Sequence, residues 1–161
     1  MATIRRRRAK NESRACLRSS PTQENRFLAD LPDIRIVRPN QFDSGTAQTP
    51  GSLRLAAISR DQGIETQLWG GTFLVEPGAR TGIHHHGEQE TIVYVLEGRA
   101  QVRWGEHGES EATVCAGDFL HVPAWLPHQE INPSPTEPFR WVVVRSTPEP
   151  IVVNLPDNYW G

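Results

Sequence analysis

Glycine and proline interrupt this chain too often for long helices: thirteen of each stand among its 161 residues, and both end or distort regular elements. The apolar runs left between them are short. Ile92 to Leu96 and Trp141 to Val144 are among the longest, far below the roughly 20 consecutive apolar residues of a membrane-spanning helix. From Leu53 onward, short apolar or alternating runs are separated by glycine, proline or acidic turns, the spacing of an all-β sandwich or barrel. Strands are predicted at 53–58, 64–69, 72–76, 82–86, 91–97, 100–104, 111–114, 118–122, 128–132 and 139–146. Pro77-Gly78, Glu97-Gly98 and Ala116-Gly117-Asp118 supply turns. Residues 27–52, with Pro32, Pro39 and Pro50, read as an irregular lead-in, and Ile151 to Leu155 as a further edge strand.

The length fits a single domain, assigned to residues 27–161. Residues 1–26 differ in kind. They carry eight basic side chains, including Arg5 to Arg8, against Glu12 and Glu24. With almost no large apolar side chains, such a segment is expected to form a disordered basic arm. Its composition also matches a transit peptide or a nucleic-acid tail, but sixteen Arg against one Lys in the whole chain points to compositional bias, and nucleic acid is not an expected partner. Cys16 and Cys115 are too few and too far apart in sequence for a disulfide framework or a CxxC zinc site. A reducing, cytoplasmic location is expected, and no membrane association.

His84-His85-His86 is the most informative triplet. In a strand, residues two apart share a face, so His84 and His86 can converge on one metal ion while His85 points away. Neutral imidazole is the commonest metal ligand near neutral pH. His128, after the turn Pro123-Ala124-Trp125-Leu126-Pro127, is the candidate for the third ligand.

Two spacings surround these histidines. Gly78 is followed by five residues, His84-His85-His86, three residues, Glu90, seven residues and Gly98; Gly117 is followed by Pro123, Trp125, His128 and Asn132. The pair resembles the two motifs of the cupin family. The first departs by one extra residue between Glu90 and Gly98, and the second by Trp125 in place of a glycine. The resemblance covers residues 72–146. It implies a double-stranded β-helix, the cupin or jelly-roll barrel, with His84, His86, Glu90 and His128 holding one divalent metal ion: iron, manganese, zinc or nickel. Strand parity counted back from Gly98 places Thr91, Val93 and Val95 on the face where the family's glutamate sits. Glu90 then reaches the metal only through a β-bulge. It is taken as the fourth ligand and possible catalytic base, with Gln89 as the alternative.

His121 is a candidate proton carrier at the barrel mouth, and His107 reads as surface. Of the five tryptophans, Trp69, Trp104, Trp125, Trp141 and Trp160, most are assigned to the core, with Trp125 near the metal entrance. Arg80, Arg103, Arg140 and Arg145 could each hold a substrate carboxylate. The function expected is that of a metal-dependent oxygenase or isomerase acting on a small organic molecule. A non-catalytic ligand-binding or regulatory module is the alternative. The apolar stretch from Ile151 to Leu155 would leave an exposed edge, so a homodimer is expected.

Overall fold

The computed structural model describes residues 33–161, and the basic arm of residues 1–26 lies outside them. Two five-stranded antiparallel sheets face each other. In chain order the strands are β1 (Ser52–Ile58), β2 (Trp69–Val75), β3 (His84–His85), β4 (Thr91–Glu97), β5 (Arg99–Trp104), β6 (Ser110–Cys115), β7 (Phe119–Val122), β8 (His128–Ile131), β9 (Phe139–Arg145) and β10 (Val153–Asn154). One sheet runs β1-β2-β9-β4-β7 and the other β10-β3-β8-β5-β6. The helical turns among the described residues are two short 3-10 pieces, Pro39–Gln41 and Arg60–Gln62, as the glycine and proline spacing requires. No helix there is long and apolar enough to cross a membrane.

Burial follows the period of two that the sequence pattern demands. On β2, Trp69, Gly71, Phe73 and Val75 are buried and their neighbours half-buried; on β9, Phe139, Trp141, Val143 and Arg145 point inward; on β4, Thr91, Val93 and Val95 do. The apolar core closes around stacked Phe73 and Trp141, with ring centroids 5.2 Å apart, and Phe139 set edge-on to Trp141 at 4.8 Å. Asn132 ties strand ends together: its side-chain amide donates to the carbonyls of Val75, Glu76 and Glu137.

Three expectations need adjustment. The predicted strand 64–69 retains only Trp69, as the start of β2; the stretch before it is folded back by the Arg60 side chain, whose Nε donates to the Thr66 carbonyl. The strand predicted over 82–86 shortens to two residues. The last strand, β10, pairs with β3 inside the same chain, with Val153 opposite His85 and Asn154 opposite His84. Of the lead-in, residues 33–51 are irregular, apart from the first 3-10 turn and a bridge between Asp43 and Ala56.

Candidate metal centre

Two short strands assemble the site. β3 delivers His84 and, just beyond its end, His86; β8 delivers His128 directly opposite His84. All three imidazoles are buried, and they offer ligand nitrogens within 4.8 Å of one another. His85 turns away and lies beside Trp125, with centroids 5.6 Å apart.

Neighbouring groups fix which nitrogen each ring presents. His84 Nδ1 lies 3.0 Å from the Gly82 carbonyl and His128 Nδ1 lies 2.8 Å from that of Leu126. A carbonyl only accepts, so both Nδ1 atoms carry the proton and both Nε2 lone pairs are free. His86 Nδ1 is held by the Thr91 hydroxyl at 2.8 Å. The Nε2 atoms of His86 and His128 are buried without a hydrogen-bond partner among the described residues. Orphaned nitrogens of this kind, each backed by a hydrogen bond at the other side of its ring, are what a metal ion completes. Burial pushes His84 down to about 3 and His86 further below its ordinary value, so both rings are neutral, as ligands must be. The donor set fits a divalent ion.

The carboxylate beside this triad is not the one expected. Glu90 stands on the outer face with its side chain 64% exposed, and its carboxylate lies 3.9 Å from the ring of equally outward His121. The irregularity in β4 does occur, between Val95 and Glu97. It leaves Thr91, Val93 and Val95 inward, however, so Glu90, just before the strand, stays out. Gln89 is fully buried yet is also unavailable. Its amide nitrogen donates to the Thr147 hydroxyl and the Glu149 carbonyl, and its oxygen accepts from Arg145 and the Ile151 N–H. Glu130, two residues beyond His128 on the same face of β8, is the buried carboxylate at the site, its Oε1 3.6 Å from His128 Nε2. Burial would raise its carboxyl, but His84, His128, the Thr81 hydroxyl and Arg54 outweigh that and hold it below the usual range. The signal in the sequence was the shared parity with His128.

Arginine appears in the interior as well. Arg54 of β1 and Arg145 of β9 are buried beside the triad, over the Phe73 and Trp69 rings respectively. Burial lowers them to about 10 and about 9, so both remain cationic at neutral pH. Arg54 had not been singled out in the sequence. Arg140 is instead paired with Glu97 on the surface, at 3.1 Å, while Arg103 packs over Trp160 on the far side of the second sheet and borders a polar cleft there with Arg80.

Two spaces meet at His128. Inside the barrel, next to Arg54, Arg145 and Glu130, the free volume is about 10 Å³, enough for about one water. On the other side a cavity of about 390 Å³ opens, walled by Val102, Trp104, Val114, Leu120 and Leu126 and reaching His121. Of the tryptophans, Trp69 and Trp141 are core, Trp104 lines this cavity, and Trp125 is 64% exposed on the turn leading to His128.

The sequence profile of the cupin domain matches residues 71–145, the stretch that holds the triad, both motifs and the strands around them. This barrel is a cupin domain. The cupin fold is equally plain in solved structures. The polyketide cyclase RemF from Streptomyces resistomycificus superposes with a TM-score of 0.62 at 22% identity, over 80% of this chain and 91% of that one. A double-stranded β-helix protein from Klebsiella pneumoniae gives 0.58 at 18%, over 77% and 99%. Bacillus subtilis oxalate decarboxylase, described with Mn(II) centres, gives 0.59 at 22%, over 68% of this chain but only 29% of that one, so this chain spans under a third of that enzyme. None of the curated proteins is similar to it in sequence.

Proposed function

We propose that this cupin domain is a metal-dependent enzyme that acts on a small, largely apolar organic molecule by oxygenation or isomerisation. The observation that carries the reading is the pair of partnerless Nε2 atoms on His86 and His128, with His128 also facing the apolar cavity. A divalent ion held there would act as a Lewis acid on a substrate oxygen or bind O₂ beside the substrate. The chain's own contribution is orientation and an apolar wall. Trp104, Val114 and Leu120 line the space on one side of His128, and burial keeps His84 and His86 neutral. His121 at the cavity rim is the proposed proton carrier; Glu90, on the outer face, acts on substrate only through it.

Neighbouring folds lend support rather than identity, since a polyketide cyclase and an oxalate decarboxylase show one barrel serving different chemistries. The test is to load the purified protein separately with iron, manganese, zinc and nickel and to follow O₂ uptake and product isomers over a panel of aromatic and enolisable substrates. Turnover that needs the metal and disappears in His128→Ala supports the reading. Ligand binding without turnover under every metal favours the second reading, a binding module, for which the nearly filled interior speaks. The expected homodimer stands as a proposal too. Outward Ile92, Tyr94, Leu96 and Phe119 on adjoining strands β4 and β7 form the apolar surface that a second copy would cover, and a monomeric mass by light scattering at micromolar concentration would remove it.

A further inference from the structure

We infer that Glu130 supplies the carboxylate of the metal centre, delivered by the same strand as His128, while the position where the family's pattern puts its glutamate has passed to the orienting hydroxyl of Thr91. This rests on the three-histidine metal reading above.

The geometry is specific to Glu130. Residues two apart on β8 share a face, so a strand that turns His128 inward must turn Glu130 inward as well. The side chain is 6% exposed and fixed at one oxygen only. Thr81 donates its hydroxyl to Oε2 at 2.7 Å, and the same hydroxyl accepts the Glu130 backbone N–H at 3.0 Å. Oε1 makes no hydrogen bond among the described residues and faces the free Nε2 of His128 at 3.6 Å. A buried carboxylate is costly unless its second oxygen finds a partner. Among the described residues neither interior arginine comes within ion-pair distance of it, and its close titratable neighbour is His128. A divalent ion taken by His128 Nε2 and Oε1 together gives that oxygen its partner.

The charge balance points the same way. Imidazoles bring no negative charge, and Arg54 and Arg145 both stand beside the cavity as cations. Glu130 is the one anionic group lining that cavity. Without it a divalent cation would enter an interior that already carries two positive charges. With it the donor set becomes three nitrogens and one oxygen, which admits manganese alongside the metals that imidazole alone selects.

The experiment is to measure Mn²⁺ and Zn²⁺ affinity by calorimetry for the wild type and for Glu130→Gln, Glu90→Gln and His128→Ala, with the Mn²⁺ spectrum read by electron paramagnetic resonance. Glu130→Gln should lose Mn²⁺ affinity by about ten- to a hundredfold and Zn²⁺ affinity by less, while Glu90→Gln matches the wild type. Unchanged Mn²⁺ affinity in Glu130→Gln, an equal loss for both metals, or a comparable loss in Glu90→Gln overturns the assignment. A wild type that binds neither metal removes the three-histidine reading itself. Wild-type binding that vanishes in His128→Ala and survives in Glu130→Gln removes only the carboxylate. Should Glu130→Gln fail to fold, Glu130→Asp keeps the charge but withdraws the oxygens by one methylene, and its Mn²⁺ affinity should fall while its far-UV circular dichroism remains that of the folded barrel. Wild-type Mn²⁺ binding by Glu130→Asp would count against the assignment.

Discussion

The two sides of the histidine triad are built from opposite materials. On the closed side lie two guanidinium groups, one carboxylate and room for about one water; on the open side lies a cavity of about 390 Å³ walled by aliphatic and indole carbon. His128 belongs to both. The difference divides the labour. On the proposed reading the closed side would fix the ligands of an ion and offset part of the positive charge there through Glu130, where low dielectric magnifies every charge, and the open side would select a guest by shape and apolar contact. The strand period makes this division possible, because each element lends alternate residues to the interior and the intervening ones to the surface.

The comparison is broken most severely at the residue the two sides share. His128→Ala should lower metal affinity by more than about a hundredfold, beyond what disturbing an outer partner costs, and a full equivalent of metal retained by elemental analysis would remove His128 from the site. A smaller effect belongs to the closed side alone. His84 titrates near 6.5 in the unfolded chain and near 3 when folded, so below pH 6.5 the unfolded state takes up a proton that the native state refuses. Stability is therefore complete above about 6.5 and falls as pH drops toward 3, by about 1.4 kcal/mol per pH unit for each such histidine. His86 is depressed in the same direction. Melting temperatures of the metal-free protein that stay flat between pH 6.5 and 4 would show the rings to be solvated.

Thr91→Val, also on the closed side, frees the back of His86 and should cost about tenfold in metal affinity, with binding of an apolar dye in the open cavity unchanged. Loss of both would merge the two sides into one. The open side is sharpened by Ala112→Phe, which fills the cavity from an exposed position. It should abolish dye binding and leave metal affinity within about twofold, the range of surface substitutions; a large loss of metal would mean that the cavity wall supports the ligands.

Much of this arrangement was legible because it depends on local rules. His84 and His86 share a face by strand parity, and the second motif's spacing marks His128 on β8 and Asn132, although two of the three carbonyls Asn132 binds, those of Val75 and Glu76, lie far back in the sequence. Trp125 shows what the motif's glycine is for. It holds φ at +64°, the left-handed region that a side chain seldom occupies, so the turn keeps its shape despite the substitution. Glu130 escapes the motif reading, because the family's pattern points to a carboxylate at its first-motif position, whereas the buried one beside the triad sits in the second motif's strand. Arg54 and the fully occupied amide of Gln89 depend on contacts between segments far apart in sequence, which no periodicity records. Glu90 was misplaced for a similar reason: the irregularity in β4 falls at its far end, between Val95 and Glu97, where it cannot turn the residue before Thr91.

One small feature extends the reach of the site. β3 has only two residues, and it is sandwiched between His128 on one flank and β10 on the other, where Val153 and Asn154 sit opposite His85 and His84. Farther along, the Leu155 N–H bonds the Ile83 carbonyl at 2.8 Å, and the Ile151 N–H bonds the Gln89 side chain. A ladder this short opens readily on its own, so whatever steadies His84 and His86 steadies the closing residues of the chain with them. Amide protons near Val153 and Leu155 should therefore exchange with deuterated solvent more slowly when an ion is bound, making a stretch that touches no ligand a readout of occupancy.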